Sequence, residues 1–148
     1  MATTAKQFFT LEQQAEILKA VQQAEQNTSG EIRVHIENEC DGDALARSVY
    51  LFKKLGMTKT KQRNGVLFYL AVEHHKFAVL GDIGIDAVVP ENFWDEVKTI
   101  MLNDFKEGHF TEGLTKAIEM AGNSLKKHFP YQSGDVNELP DDVSFGDN

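Results

Sequence analysis

Apolar residues recur along this chain at two spacings, and the alternation between them predicts the fold. After Thr10, Leu11, Ala15 and Leu18, with Ile17, Val21 and Ala24 beside them, return every three or four positions. That period is a helix with one broad apolar stripe, expected to run to about Gln26. Thr10 with Gln13 three residues later supplies a capping box at its start. The polar stretch NTSG at 27–30 breaks the pattern, and in EIRVHIE the period falls to two. There Ile32, Val34 and Ile36 alternate with Arg33, His35 and Glu37, which predicts a strand with one drier face. Asp43 then caps a second helix carrying Leu45, Val49, Phe52 and Leu55. Lys53 and Lys54 suit its negative end, and Gly56 suits its termination.

The run NGVLFYLAVEHHKFAVLG carries the strongest local signal. Val66, Phe68, Leu70 and Val72 face one way while Leu67, Tyr69 and Ala71 face the other. A strand apolar on both sides belongs in the middle of a sheet covered by helices on both faces. EHHK then predicts a tight hairpin turn, after which Phe77 to Leu80 returns antiparallel. Pro90 fits the first position of a helix carrying Phe93, Trp94, Val97, Ile100 and Met101 in the core. A last helix, from about Phe110 to His128, turns Leu114, Ala117, Ile118, Ala121 and Leu125 inward. The connection FKEGHFTEG leaves Asp104 and Glu107 exposed. The prediction is an α/β protein: a three-layer α/β/α sandwich with a small mixed sheet of about three to four strands flanked by helices.

Composition narrows the class. A chain of 148 residues with 41% hydrophobic and 26% charged residues fits a single soluble globular domain. The formal net charge of -8 disfavours a nucleic-acid partner and attracts cations. Residues 131–148 hold five of those eight charges and no Lys or Arg. The chain is therefore expected to divide into a folded domain at 1–130 and an acidic disordered tail at 131–148. Cys40 is single, which precludes an intrachain disulfide and suits a reducing compartment. No apolar stretch approaches the roughly 18 residues of a membrane span. Residues 1–9 lack the apolar centre of a signal peptide, so a cytoplasmic location is the expectation.

Topology gathers the candidate chemistry. One helix joins the first two strands, which predicts a parallel pair with a right-handed crossover. The hairpin then brings the third strand back, so that SGE at 29–31, RNG at 63–65 and GDIGID at 81–86 meet at one end of the sheet. Glu31, Asn64, Asp82 and Asp86 become oxygen donors around glycine-permitted turns, a set that suits calcium or magnesium. Arg63 is the candidate phosphate partner. A plainer reading fits the same residues, with Gly81 and Gly84 permitting a tight turn and the two aspartates solvated beside it. His74 and His75 are expected at a solvated hairpin tip, and His35 as a packing or salt-bridge residue. The acids between Glu37 and Asp43 lie at the opposite sheet end and lack the spacing of a calcium-binding EF-hand loop.

SGEIRV, RNGVLFYLAV, GDIGID and FKEGHFTEGLTKAI, in that order over residues 9–129, resemble the TPM domain. That domain occurs in thylakoid-lumen proteins of photosystem II repair, in related bacterial proteins and in a modulator of acetylcholine receptors. The resemblance implies an α/β/α sandwich, divalent-cation binding, and the acid phosphatase activity described for plant members. Many bacterial relatives carry a signal peptide and a membrane anchor, and neither is expected here.

Two functions follow. The first is a TPM-domain protein that binds calcium or magnesium and works as an interaction or assembly module with a protein partner. The second is a metal-assisted acid phosphatase acting on phosphomonoesters or phosphoproteins. The chain contains no P-loop, no Cys-x5-Arg arrangement and no DxDxT-like motif, so the enzyme reading rests on the resemblance.

Overall fold

The computed structural model describes residues 8–131 and 143–146 of the chain. Helix α1 spans Leu11–Glu25. The Thr10 hydroxyl accepts the Gln13 N–H at 3.0 Å and the Gln13 side chain accepts the Thr10 N–H at 2.9 Å. Strand β1 is Glu31–Glu37, and helix α2 is Ala44–Lys54, where the Asp43 carboxylate accepts the Ala46 N–H at 3.0 Å. Gly56, with φ of 75°, ends that helix and admits one 3-10 turn at Met57–Lys59. Strand β2 (Gly65–Ala71) and strand β3 (Lys76–Gly81) form the hairpin, and β3 runs into a single-turn helix α3, Ile83–Asp86. Helices α4 (Phe93–Lys106) and α5 (Phe110–His128) follow, and a short strand β4, Val143–Phe145, completes the described residues.

The four strands lie in the order β3-β2-β1-β4. β1 is parallel to β2 and to β4, while β2 and β3 are antiparallel, so the sheet is mixed as expected. The period-two pattern sorts the side chains between two cores. Ile32, Val34, Ile36, Val66, Phe68, Leu70 and Val79 meet the apolar stripes of α1, α4 and α5 on one face. Leu67, Tyr69, Ala71 and Ala78 meet Leu51, Phe52 and Met57 on the other, beneath α2. The result is the predicted three-layer sandwich, with every residue of β2 buried.

Four details differ from the sequence reading. Leu11, 84% exposed, and Ala15 lie outside the buried stripe of α1, which is Ile17, Val21 and Ala24. Leu45 and Val49 are exposed as well, since α2 covers its face of the sheet alone and turns only Ser48, Leu51 and Phe52 inward. Helix α4 begins at Phe93 rather than at Pro90, whose carbonyl instead accepts the Phe93 N–H at 3.0 Å. Asp104 is not free at the surface: it accepts Lys116 at 3.0 Å and joins α4 to α5.

The C-terminal segment supplies the largest difference. Val143–Phe145, placed by composition in a disordered tail, pairs with Val34–Ile36 at the edge of the sheet. Val143 is 7% exposed and packs into the larger core, and the Gly146 N–H donates to the Ile36 carbonyl at 2.8 Å. Residues 132–142 and 147–148 of that expected tail lie outside the described residues.

Candidate functional site

The strand ends converge as the topology requires. Register places Glu31 opposite Gly65 and Val66 opposite Gly81, which brings the starts of β1 and β2 and the end of β3 together. The Glu31 N–H donates to the Asn64 carbonyl at 3.4 Å, the Asp82 N–H to the Gly65 carbonyl at 2.9 Å, and the Gly84 N–H to the Arg63 carbonyl at 2.7 Å. Gly84 is essential to this last contact. A Cβ there would lie 2.0 Å from the Gln62 carbonyl oxygen and 2.6 Å from that of Arg63. Helix α3 can therefore sit against the 62–63 backbone only without a side chain at 84.

Side chains at this end divide into two sets. Arg63, held at φ of 52°, grips Asp82 in a bidentate pair, Nε to Oδ2 at 2.6 Å and an Nη to Oδ1 at 2.8 Å. Asp82 Oδ1 also accepts the Ile83 N–H at 2.8 Å, which starts α3. The Asp82 carboxylate in turn raises the pKa of the Arg63 guanidinium. Asp86 lies one helical turn further on, and its Oδ1 accepts the Trp94 indole N–H at 2.7 Å. Burial of this carboxylate against Trp94 raises the Asp86 pKa, the indole N–H opposes the rise, and the charge of Asp82 adds to it. The second set lies on the strand starts. Asn64 is buried, its amide donates to Ser29 Oγ at 3.3 Å, and its N–H donates to Thr60 Oγ1 at 3.2 Å. Glu31 is buried at the start of β1.

Asp82, Asp86 and Arg63 are thus brought side by side, whereas Glu31 and Asn64 adjoin them through the backbone. Among the described residues, no group of three or more His, Cys, Asp or Glu is arranged to hold a metal ion. The residues that fit a hard cation here are two carboxylates, one already neutralised by Arg63 and one hydrogen-bonded by a neutral indole. Backbone carbonyls, the Asn64 amide oxygen and water are the remaining donors of the right chemistry.

A second polar cluster, on the α2 face, was not legible as a unit in the sequence. Glu37 ends β1 and is 1% exposed. It accepts Arg47 Nε at 2.9 Å, an Arg47 Nη at 2.6 Å and the Tyr69 hydroxyl at 2.7 Å. Burial pushes the Glu37 pKa up, but the hydrogen bonds from Arg47 and Tyr69 outweigh it and hold the carboxyl below its usual range. Arg47 and Tyr69 are both shifted upward by the same contacts, Tyr69 chiefly by burial. His35, paired in register with Tyr69, approaches Glu37 at 3.5 Å through Nε2, and its Nδ1 lies 2.6 Å from Ser144 Oγ on β4. His35, expected as a packing or salt-bridge residue, is thus buried beside Glu37 and tethered to the C-terminal strand. The available clue was a Tyr within an aliphatic strand that pairs with the strand bearing Glu37.

His35 carries a pH dependence. Burial lowers its pKa below 6.5, with Arg33 and Arg47 in the same direction and Glu37 opposing. The unfolded chain therefore binds the proton first as pH falls, and stability is lost from about pH 6.5 downward. One proton sets a slope of at most about 1.4 kcal/mol per pH unit. Thermal melts between pH 7 and pH 5 should show a steeper loss for the unaltered chain than for His35→Gln. Equal slopes would remove His35 from the account.

Residues 3–124 match the TPM domain family. No curated protein matches the chain. The chain is similar to the BA42 protein of the psychrophilic bacterium Bizionia argentinensis, known from an NMR structure, at 45% identity and a TM-score of 0.86. That match covers 94% of this chain and 96% of BA42. The N-terminal domain of the cg2496 protein of Corynebacterium glutamicum shares the fold at 14% identity and a TM-score of 0.66, over 88% of this chain and 82% of that one. An N-terminal domain from P. gingivalis does so at 16% identity and a TM-score of 0.69, over 84% and 82%.

Proposed function

This chain belongs to the TPM domain family, and on that premise we propose that it is a divalent-cation-binding interaction module whose site lies at the sheet end formed by Asp82 and Asp86. The observation that carries the reading is the carboxylate pair itself. Asp82 and Asp86 stand one helical turn apart, near enough for one charge to raise the pKa of the other, with a single guanidinium between them and neutrality. Calcium or magnesium would relieve that repulsion. Glu31 and Asn64 are the further oxygen donors on the adjoining strand starts. Ile83, 64% exposed, and Val88, 41% exposed, flank the acids and offer apolar surface to a protein partner.

Arg63 supports this function over the phosphatase. A phosphate-binding arginine must present its fork to the substrate. Nε and one Nη of Arg63 already bind Asp82, so a phosphate would have to compete with that carboxylate for the bidentate edge. Binding without turnover is therefore the reading that the geometry supports better.

Calcium titration followed by amide NMR shifts tests it. Saturable shifts are expected at residues 82–86, 63 and 64, with a dissociation constant on the order of 10⁻⁴–10⁻³ M, as for sites with few carboxylates. Asp82→Asn keeps the helix cap and should lose the binding. Arg63→Gln removes the competing counter-ion and should tighten it about threefold or more. Weak shifts spread over all the acids, or an unchanged affinity in Arg63→Gln, would sink the site. Hydrolysis of a chromogenic phosphate ester that disappears in Asp82→Asn would favour the enzyme instead.

A further inference from the structure

At the opposite end of the sheet, the β2–β3 hairpin, the end of α4 and the start of α5 leave a cavity of about 220 Å³ between them. We propose that this cavity binds a small amphiphilic acid: an apolar chain of about eight carbons, or an aryl group of similar size, that carries one carboxylate.

Its walls are apolar and largely aromatic. Phe77, Phe105 and Phe110 meet there ring to ring, Phe77 and Phe105 at 5.3 Å and Phe105 and Phe110 at 5.2 Å between centroids. Leu102, 42% exposed, stands beside them on α4. A cavity of roughly 150 Å³ with such a lining accepts benzene, so this one accommodates a ligand somewhat larger. Gly108, with φ of 80°, reverses the chain between α4 and α5 and so sets Phe110 back against Phe105.

Charge selects the head group. In a chain of net charge -8, the described residues lining this cavity include no Asp or Glu, but they do include Lys76, Lys106 and His75. The Lys76 amine is committed to the Cys40 and Gly42 carbonyls, each at 2.8 Å, so Lys76 offers its alkyl stem. Lys106 is exposed at the end of α4. The negative end of α4 and the positive end of α5 both meet the cavity, and their fields oppose each other. Lys106 then tips the balance toward an anion. Glu73 borders a neighbouring hollow, shared with His75, which places the carboxylate on the Lys106 side. An apolar acid fits both the lining and the charge, whereas an alkylammonium fits only the lining.

Octanoate, octan-1-ol and octylamine form the test series, read by amide and methyl NMR shifts. Octanoate is expected to give saturable shifts at Leu70, Leu102, Phe105 and Phe110, with a dissociation constant of about 1 mM or tighter. The alcohol and the amine should bind at least fivefold more weakly. Lys106→Glu should weaken octanoate fivefold or more and leave octanol within twofold. Leu102→Trp alters an exposed residue and should abolish binding of both by filling the cavity. Absence of saturable shifts up to about 5 mM octanoate, octylamine binding as tightly as octanoate, or undiminished octanoate binding in Leu102→Trp would each overturn the proposal.

Discussion

Gly84→Val is expected to lower the thermal midpoint by roughly 10 °C or more and to erase the geometry of the Asp82–Asp86 turn. The reason is the nature of the neighbours. A Cβ at 84 would stand 2.0 Å from one backbone carbonyl oxygen and 2.6 Å from the next, and a valine adds two methyl groups behind it. Side chains can rotate away from an intruder, but these carbonyls cannot do so cheaply. The Gly84 N–H is bonded to the Arg63 carbonyl at 2.7 Å, and the Asp82 N–H to the Gly65 carbonyl at 2.9 Å, so retreat breaks the hydrogen bonds that attach α3 to the sheet. Overpacking typically costs about 1–3 kcal/mol, and this position belongs at or above the top of that range. Gly65→Ala is the control. Its Cβ would meet the Met57 carbonyl at 3.3 Å and otherwise only side-chain atoms beyond 3.4 Å, so its loss should be clearly smaller. Equal melting shifts for the two variants would mean that the 62–63 backbone yields more readily than its hydrogen bonds suggest.

Glu37→Leu should cost about 3 kcal/mol in urea unfolding, the second largest effect. The carboxylate accepts the Tyr69 hydroxyl and both arms of the Arg47 fork. Its loss leaves the buried phenol with only the weak Cys40 thiol beside it and a cation at the edge of an apolar layer. The Arg47 side chain is 32% exposed and can recover some water, which keeps the estimate at the low end for a broken buried pair. Tyr69→Phe alone should cost about 1 kcal/mol, because it removes a donor and leaves the carboxylate satisfied by arginine. The combination Glu37→Leu with Tyr69→Phe should then lose less than the two changes added together, since each removes the other's stranded group. Strict additivity would contradict a shared network. The acid limb provides a second check. Glu37 has a folded pKa below its unfolded value, so its contribution is present above about pH 4.5 and is lost as pH falls through the folded pKa. In Glu37→Leu that part of the acid sensitivity should be absent.

These two positions were not equally visible beforehand. Gly84 stood out in GDIGID as a turn glycine, but the object it must admit, the backbone at 62–63, is twenty residues away in the chain. Glu37 was read as a polar-face residue of the first strand and as the first of the acids that run to Asp43. Its partners come from α2 and β2, and no local pattern joins Arg47 to Tyr69. Asp82 and Asp86 were read together and do lie together. Arg63 was read as a phosphate contact, and the structure pairs its fork with Asp82.

By itself, the order of apolar and polar residues determined the layers. Period 3.6 marked the helices that bury a stripe, period two marked the strands, and a strand apolar on both sides marked a sheet covered twice. The capping box at Thr10, the Asp43 cap and the Gly56 stop were equally local, because each acts within four residues. Only the tertiary structure decided which charges meet and which segments join the sheet. Val143–Phe145 has two apolar residues in an acidic segment, too few to predict a strand, and its order comes from the β1 edge and from Ser144 beside His35. A pairing of that kind draws its free energy from a surface more than a hundred residues away in the chain, and nothing within the segment records it.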